Sequence, residues 1–347
     1  MAASNSLAPR ILSLATASPP HRFTQQEIYG MLGYKSRRIL DIFLNSDIDY
    51  RHLYVDPETA RPTETVDELH RRYREGAVRL AREAAERCLA QAGLRARDVD
   101  CILVASCTGY LCPDLATILV KEMALQPSVQ RGALVGHGCA GALPALQRAY
   151  DHACAYPAHR VLAIAVEICS AAYFIDDTLE TVVGNAICAD GAAACLLSLA
   201  AETGPRLAGF ASVLDPNCQS SVGFEQRQGK LRIILAPTIR DLAPPMIARA
   251  LEALLAPRGL TRNDVRFWLM HPGGRKVIDK VQDALGLCDE DIACSRSVYR
   301  NFGNMSSATV LFVLNELLQR GTAQPGDRGV MLALGPGFAA EAALLEW

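Results

Sequence analysis

Two stretches of this chain repeat one another. Residues 93–106 read GLRARDVDCILVAS, and residues 259–272 read GLTRNDVRFWLMHP. In each, Gly-Leu is followed by an Arg at the third or fourth place, then by Asp-Val and a short apolar run. The same spacing, to within one residue, carries Gly138-Cys139-Ala140 onto Gly303-Asn304-Met305. Each triplet opens an apolar, helix-compatible run, ALPALQRAYDHA in the first half and SSATVLFVLNELL in the second. Two matches in register predict a duplicated chain whose halves meet face to face. A pseudo-twofold of this kind sets Cys139 and Asn304 at equivalent helix N-termini around a shared centre.

The elements within each half follow from periodicity. Residues 64–92 carry Leu69, Tyr73, Val78, Ala81, Ala85, Cys88 and Leu89 near helical spacing, with Gly93 as the stop. The runs at 100–106, 161–170 and 265–272 are apolar without alternation, as strands buried on both faces are. Helical patterns lie between them, so the expected class is α/β. The stretch EIYGMLGYKSRRILDIF reads as one further helix. The halves are expected to divide at 1–205 and 206–347.

Bulk properties exclude some functions. The chain has 347 residues, half of them hydrophobic, which is enough for a large core. With 35 Lys and Arg against 37 Asp and Glu, it lacks the basic surplus of a nucleic-acid binder. The N-terminal stretch has no apolar core of a secretory signal, and no apolar run reaches the roughly 18 residues of a membrane span. A cytoplasmic location is the expectation. The 12 Cys are scattered without a CxxC pair, which argues against a metal site.

One of those cysteines has a special frame. Gly136, Gly138 and Gly141 surround Cys139 just after the apolar stretch 132–135. Such a turn can place a thiol at a helix start, where the dipole favours thiolate. A buried core cysteine beside a tight turn fits the same string. A nucleophilic thiol needs a partner. His271 ends an apolar run before Pro-Gly-Gly, so it is either a satisfied core histidine or an imidazole aimed into a cleft. His137 is a rival by proximity, although residues two apart around a turn usually point apart. Asn304, after Gly303 and before Ser-Ser, suits a helix cap or an oxyanion donor. The internal repeat favours the second role by setting it opposite Cys139.

The strings GCAGA, HPGG, GNMSSATVLF and LGPGF resemble signature stretches of type III (chalcone-synthase-like) polyketide synthases, in that family's order. ILSLATASPPHRFTQQEI and VGNAICADGAAA are similar to it as well, so the likeness covers nearly the whole chain from about residue 10. It implies a five-layered αβαβα thiolase fold, a homodimer, and a catalytic triad of Cys139, His271 and Asn304. It also implies a chemistry. Cys139 takes an acyl group from a starter acyl-CoA. His271 and Asn304 hold the carbonyl of malonyl-CoA while carbon dioxide leaves, and the enolate extends the Cys139 thioester by two carbons. Decarboxylation supplies the carbanion, so neither a metal nor a redox cofactor is called for.

The resemblance also assigns binding positions. Arg38 falls at the coenzyme A entrance, whereas two further basic positions of plant relatives fall on Asp41 and Asn45. Arg275 and Lys276 are candidates to take over, with solvated surface charge as the alternative for all three. Cys107, Thr108, Cys112, Cys169, Ala172, Cys188, Ser306 and Gly337 fall at substrate-cavity positions, with Cys112 reaching into the partner subunit's cavity. Cys188 stands where a gatekeeper Phe is expected, and Ala172 and Cys107 stand where Thr is expected. SCTG with an E-x-C-S stretch is similar to bacterial tetrahydroxynaphthalene synthases, which start from malonyl-CoA. Small residues at 172 and 188 equally suit the long acyl starters of alkylresorcinol or alkylpyrone synthases.

The nearest rival is a ketoacyl-ACP synthase III, which shares fold and triad but resembles HQAN rather than HPGG at the histidine. A thiolase needs a second catalytic Cys near the C-terminus, and the last here is Cys294. A non-catalytic protein on this fold predicts loss of a triad member, and all three are present.

Overall fold

The computed structural model describes residues 8–57 and 63–347. Thirteen strands and ten helices follow along these residues. The strands are β1 (Arg10–Ala17), β2 (Arg22–Thr24), β3 (Tyr50–His52), β4 (Cys101–Ala105), β5 (Gln130–Leu134), β6 (Arg160–Ile168) and β7 (Asp190–Ser198), then β8 (Arg206–Leu214), β9 (Val222–Arg227), β10 (Lys230–Leu235), β11 (Phe267–Met270), β12 (Arg328–Gly335) and β13 (Ala339–Glu346). The helices are α1 (Gln25–Met31), α2 (Arg37–Leu44), α3 (Val66–Gln91), α4 (Leu115–Glu122) and α5 (Ala142–Ala155), then α6 (Leu179–Ile187), α7 (Ile239–Leu255), α8 (Arg275–Leu285), α9 (Ala293–Phe302) and α10 (Thr309–Arg320).

The topology is duplicated. In the main sheet β4 pairs parallel with β6, β6 antiparallel with β7, and β7 antiparallel with β1. In the second half β11 pairs parallel with β12, β12 antiparallel with β13, and β13 antiparallel with β8. Strand for strand, the pairing senses match. The repeated sequence has a structural cause too. Asp98 accepts the amide of Arg95 in a short 3₁₀ turn before β4, and Asp264 accepts that of Thr261 in the same turn before β11. The aspartate in each copy is therefore the acceptor that closes the turn feeding the buried strand.

The two halves join edge to edge where Arg10 pairs with Arg206, giving the nine-strand order β11-β12-β13-β8-β1-β7-β6-β4-β5. Helices α5 and α10 touch strands of both halves, so the sheet turns back on itself at that junction with these helices between. Helix α3 covers the outer face of the first half, and α7 with α8 covers the second. The layers run helix, sheet, helix, sheet, helix.

Helix α3 begins at a reciprocal Thr65–Glu68 cap, and Gly93 follows it with φ +67°. Its buried face includes Ala77, Leu80 and Ala84, and Val78 is half-buried at its edge. The stretch read as one helix around Arg38 is two, α1 and α2. The chain breaks at Gly33, whose φ of +76° stops a helix. No described helix is long and apolar enough to cross a membrane.

Candidate active site

The turn bearing Cys139 is built from glycine. Beyond β5, Gly136 has φ +80° and Gly138 has φ +50°. A Cβ at Gly138 would lie 2.3 Å from Cδ of Pro336, and one at Gly335 would lie 2.4 Å from the His137 carbonyl. The turn is thus clamped against the Gly335-Pro336-Gly337 loop, which is the physical reason for the glycines in LGPGF. Cys139 sits in a 3₁₀ turn (Gly138–Ala140), and α5 starts only at Ala142. Cys139 therefore lies one turn ahead of the helix rather than on its first residue. Burial pushes its thiol up to about 12, against the lowering pull of its hydrogen bonding with Ser306 and Asn304. Desolvation thus opposes the thiolate that the N-terminal field favours.

Asn304 occupies the matching place in the second half. A 3₁₀ turn (Ser306–Ala308) follows it and leads into α10. Its backbone forms a parallel bridge with Cys188, donating to the Ile187 carbonyl and accepting from the Ala189 amide, both at 2.8 Å. Its side chain accepts the Ser306 amide on Oδ1 at 2.8 Å, and this fixes the amide's orientation. The Cys139 thiol donates toward the same oxygen at 4.0 Å. Nδ2 faces the Gly273 carbonyl at 3.5 Å. The cap and the chemical role are both available to one side chain.

His271 follows β11, and its amide donates to the Leu332 carbonyl at 2.7 Å. The imidazole is buried, and neither nitrogen has a hydrogen-bond partner among the described residues. Burial lowers its pKa to about 4, so the ring is neutral at physiological pH. A Cβ on Gly273 would lie 3.7 Å from His271 Nε2, so that glycine packs against the ring. Gly273 therefore joins His271 to the Asn304 amide, and Asn304 to Cys139. His137, the rival, is exposed.

The predicted cavity residues divide. Cys107 packs its thiol 3.3 Å from the Ser306 hydroxyl, and Ser306 holds an unusual φ of +48°. Cys169 and Ala172 are buried in one short turn, and the neighbouring Cys188 thiol together with burial raises the pKa of Cys169. Gly337, with φ +74°, lies in the loop behind Cys139. Thr108 is turned away from this group. It is buried, donates to Glu167 at 2.8 Å, and accepts the Ile168 amide. Cys112 is exposed on the loop before α4.

Sequence reasoning passed over Glu167. It is fully buried and accepts the amides of Cys107 and Thr108 from the first half, and the Ser307 hydroxyl from the second. Burial raises its pKa, and these donors oppose the rise. One carboxylate thereby ties the loop after β4 to the turn beside Asn304. A lone charge inside the apolar run 160–168 was the available signal, since a buried acid needs partners.

A cavity of about 500 Å³ opens outward from Gly273. Asp41, Asn45, Arg240, Arg275, Lys276 and Tyr299 are among the residues lining it. Arg275 leans toward Asp47 at 3.6 Å. Arg38 is exposed on α2 and is not part of this lining, although Asp41 and Asn45 on the same helix and just beyond it are. Arg240 supplies a cation that the sequence reading did not name. No group of three metal-ligating side chains occurs among the described residues.

Comparison with known proteins follows the same lines. The N-terminal domain of chalcone and stilbene synthases matches residues 50–200, and their C-terminal domain matches residues 210–346. The chain is 33% identical to a 3,5-dihydroxyphenylacetyl-CoA synthase of Streptomyces toyocaensis, over 98% of this chain and 90% of that protein. It is 31% identical to a 1,3,6,8-tetrahydroxynaphthalene synthase of Streptomyces peucetius subsp. caesius, over 97% and 93%. Among solved structures, PKS-I of the brown alga Ectocarpus siliculosus superposes with a TM-score of 0.91 at 29% identity, covering 98% of each chain. The tetrahydroxynaphthalene synthase of Streptomyces coelicolor A3(2) does so with 0.91 at 27%, over 97% of this chain and 99% of that one. These likenesses favour the polyketide reading over the ketoacyl-ACP synthase alternative, and place the layered sheet described above in the thiolase fold. The chain belongs to the chalcone and stilbene synthase family, and is a bacterial-type type III polyketide synthase, an acyltransferase that works on coenzyme A thioesters.

Proposed function

We propose that Cys139, His271 and Asn304 carry this condensation, and that the product is a polyhydroxylated aromatic built from malonyl units. The observation that carries the first part is the convergence of Cys139 on Asn304 beside a buried imidazole with two unengaged nitrogens. In the loading step the thiol proton passes to His271, the thiolate attacks the starter thioester, and coenzyme A leaves with the proton. The ion pair made in transit is held by mutual attraction, which burial strengthens. In the extension step, His271 and the Asn304 amide donate to the thioester oxygen of malonyl-CoA. The C–C bond to the carboxylate breaks, carbon dioxide departs, and its electron pair forms the enolate. The enolate carbon then attacks the Cys139 thioester and expels the thiolate. Return of the lengthened acyl group to Cys139 releases coenzyme A and starts the next round.

Two observations support a malonyl starter: small side chains at the positions the resemblance assigns to the substrate cavity, and the names of two relatives. Cys107, Cys169, Ala172, Cys188, Ser306 and Gly337 are small, Thr108 supports them through Glu167, and two of the relatives above are named for polyhydroxylated aromatic products. Arg275, Lys276 and Arg240 would receive the coenzyme A phosphates, since guanidinium and ammonium groups pair well with phosphate, with Arg38 farther out on α2. The halves 1–205 and 206–347 would act as one catalytic unit, in a cytoplasmic homodimer with Cys112 at the subunit contact. Incubation with malonyl-CoA alone, then with acetyl-, hexanoyl-, long-chain and aromatic acyl-CoAs, tests the reading by product mass. A product from malonyl-CoA alone supports it. A product only with an added acyl-CoA replaces the starter assignment, and the absence of both product and carbon dioxide rejects the mechanism.

A further inference from the structure

A buried cation lies behind this site, and every acceptor it meets is neutral. Arg51, the middle residue of β3, is 0% exposed. Its Nε donates to Gln25 Oε1 at 2.9 Å. Its Nη1 donates to the carbonyls of Asn185 and Cys188, each at 2.7 Å, and to the Tyr173 hydroxyl at 3.3 Å. Its Nη2 has no partner among the described residues. Burying a charge among neutral groups is costly, and the cost rises if any of those groups is withdrawn.

The carbonyls it grips are informative. Asn185 is in the last turn of α6, and Cys188 caps that helix. Carbonyls at a helix C-terminus lack intrahelical partners and carry partial negative charge, which a cation answers. The same stretch, Ile187 to Ala189, is bridged to Asn304 through two 2.8 Å backbone bonds. On its other side the arginine stem fills the space over Gly303, where a Cβ would lie 2.9 Å from both Cγ and Cδ. Gly303, at φ +75°, is the residue that turns the chain into Asn304. One side chain therefore touches both backbone segments that carry Cys188 and Asn304.

We propose that Arg51 is a positioning residue for the condensation, a buried guanidinium that sets the Asn304 amide and the Cys188 side chain in place without touching substrate. This rests on the reading above, in which Asn304 is an oxyanion donor. A fork of fixed geometry is what the site requires, because Gln25 and the two carbonyls lie on different N–H groups. A lysine ammonium would reach one of these acceptors at the expense of the others.

The test uses the full chain as Arg51→Lys and Arg51→Met, with wild type alongside. Two steps are read separately: acylation of Cys139 by mass spectrometry, and carbon dioxide release from malonyl-CoA. The expected result is a folded Arg51→Lys protein that loads Cys139 within a few-fold of wild type but decarboxylates at least tenfold slower. Its product-length distribution should also change, because Cys188 has moved. A role in stability alone would lower both steps in proportion to the folded fraction. Equal loss of both steps, or wild-type decarboxylation in a folded variant, overturns the proposal. If neither Arg51 variant folds, Gln25→Met keeps the arginine and removes its Nε acceptor, together with the Gln25 amide's bonds to Ser46 and the Ala186 carbonyl, and the same split between the two steps is required of it. Wild type that loads but never decarboxylates would refute the functional reading and this inference with it. Wild type that decarboxylates normally beside an equally active Arg51→Lys refutes only the inference.

Discussion

The thiol of Cys139 lies 4.0 Å from Oδ1 of Asn304, across the line where the two halves of the chain meet. Each residue stands in or before the short 3₁₀ turn that leads into a central helix. The duplication thus supplies two matching positions, one for the proposed nucleophile and the other for the proposed hydrogen-bond donor. Division of labour between them has a direct consequence. Cys139→Ala should lose acyl loading entirely, because no other thiol can replace it at that turn. It should still release carbon dioxide from malonyl-CoA, because that step needs only His271 and Asn304. Intact-protein mass and carbon dioxide evolution measure the two steps. A Cys139→Ala enzyme with no decarboxylation would show that the thiol takes part in both.

Asn304→Ala removes one of the two donors to the enolate oxygen. Loss of one such donor costs about 10²–10³ in rate, so decarboxylation should fall by that much while Cys139 loading falls far less. The substitution also deprives the Ser306 amide of its acceptor. An unsatisfied buried N–H costs about 1–3 kcal/mol, so a lower unfolding midpoint in urea should accompany the kinetic loss. A variant with unaltered decarboxylation would reduce Asn304 to a helix cap.

The local settings of Cys139 and His271 were legible because tight turns and strand ends leave local sequence signals. Cys139 needed glycines to enter a φ-positive turn, and His271 needed a strand end. The repeated Gly-Leu and Asp-Val announced two equal turns before β4 and β11. Long-range partners left weaker traces. Glu167 shows as a single acid in an apolar run, and its meaning appears only when Ser307, from the other half, closes on it. Arg51 sits in a three-residue strand with no period to interpret. The break between α1 and α2 was missed because Gly33 is tolerable within a helical pattern until its φ is known. The upward push on the Cys139 thiol left no sequence signal, because dipole effects are local whereas burial is a property of the whole fold.

Arg240 and Arg275 line the cavity that opens from Gly273, whereas Arg38 lies outside that lining, so the proposed phosphate contacts should fall mainly on the first two. Arg240→Ala and Arg275→Ala should each raise KM for malonyl-CoA several-fold with little change in kcat, since these contacts are equal in ground and transition states. The penalty should shrink as salt is raised, because exposed charges are screened over about 8–10 Å at physiological ionic strength. Arg38→Ala should leave KM nearly unchanged. Steady-state kinetics at two salt concentrations decide it, and a larger effect from Arg38 than from Arg240 would relocate the phosphate site to α2.

In the proposed reading Cys188 limits cavity width at the point where the chain is bridged to Asn304. Its side chain is half-buried beside Cys169. Cys188→Phe should narrow the cavity and shorten the products, while malonyl-CoA decarboxylation continues. Product masses from malonyl-CoA alone give the outcome. Products of unchanged length would place the limit on growth elsewhere in the cavity.

The buried imidazole makes stability depend on pH in a defined direction. His271 has its pKa lowered from 6.5 to about 4 in the folded chain. Between those values the unfolded state binds more protons than the folded state, so stability rises with pH. The contribution is fully present above pH 6.5 and is lost as pH falls toward 4. Linkage puts the loss at about 2 kcal/mol by pH 5 and about 3 kcal/mol by pH 4. Raised acids such as Glu167 oppose this trend, because their folded pKa values move upward. The difference between wild type and His271→Gln removes that background, as both proteins carry those acids. Urea unfolding at pH 7 and pH 5 should therefore show wild type losing about 2 kcal/mol more than the variant over this interval. Equal losses would mean that the imidazole takes up a proton in the folded protein as readily as in the unfolded chain, so that burial does not lower its pKa.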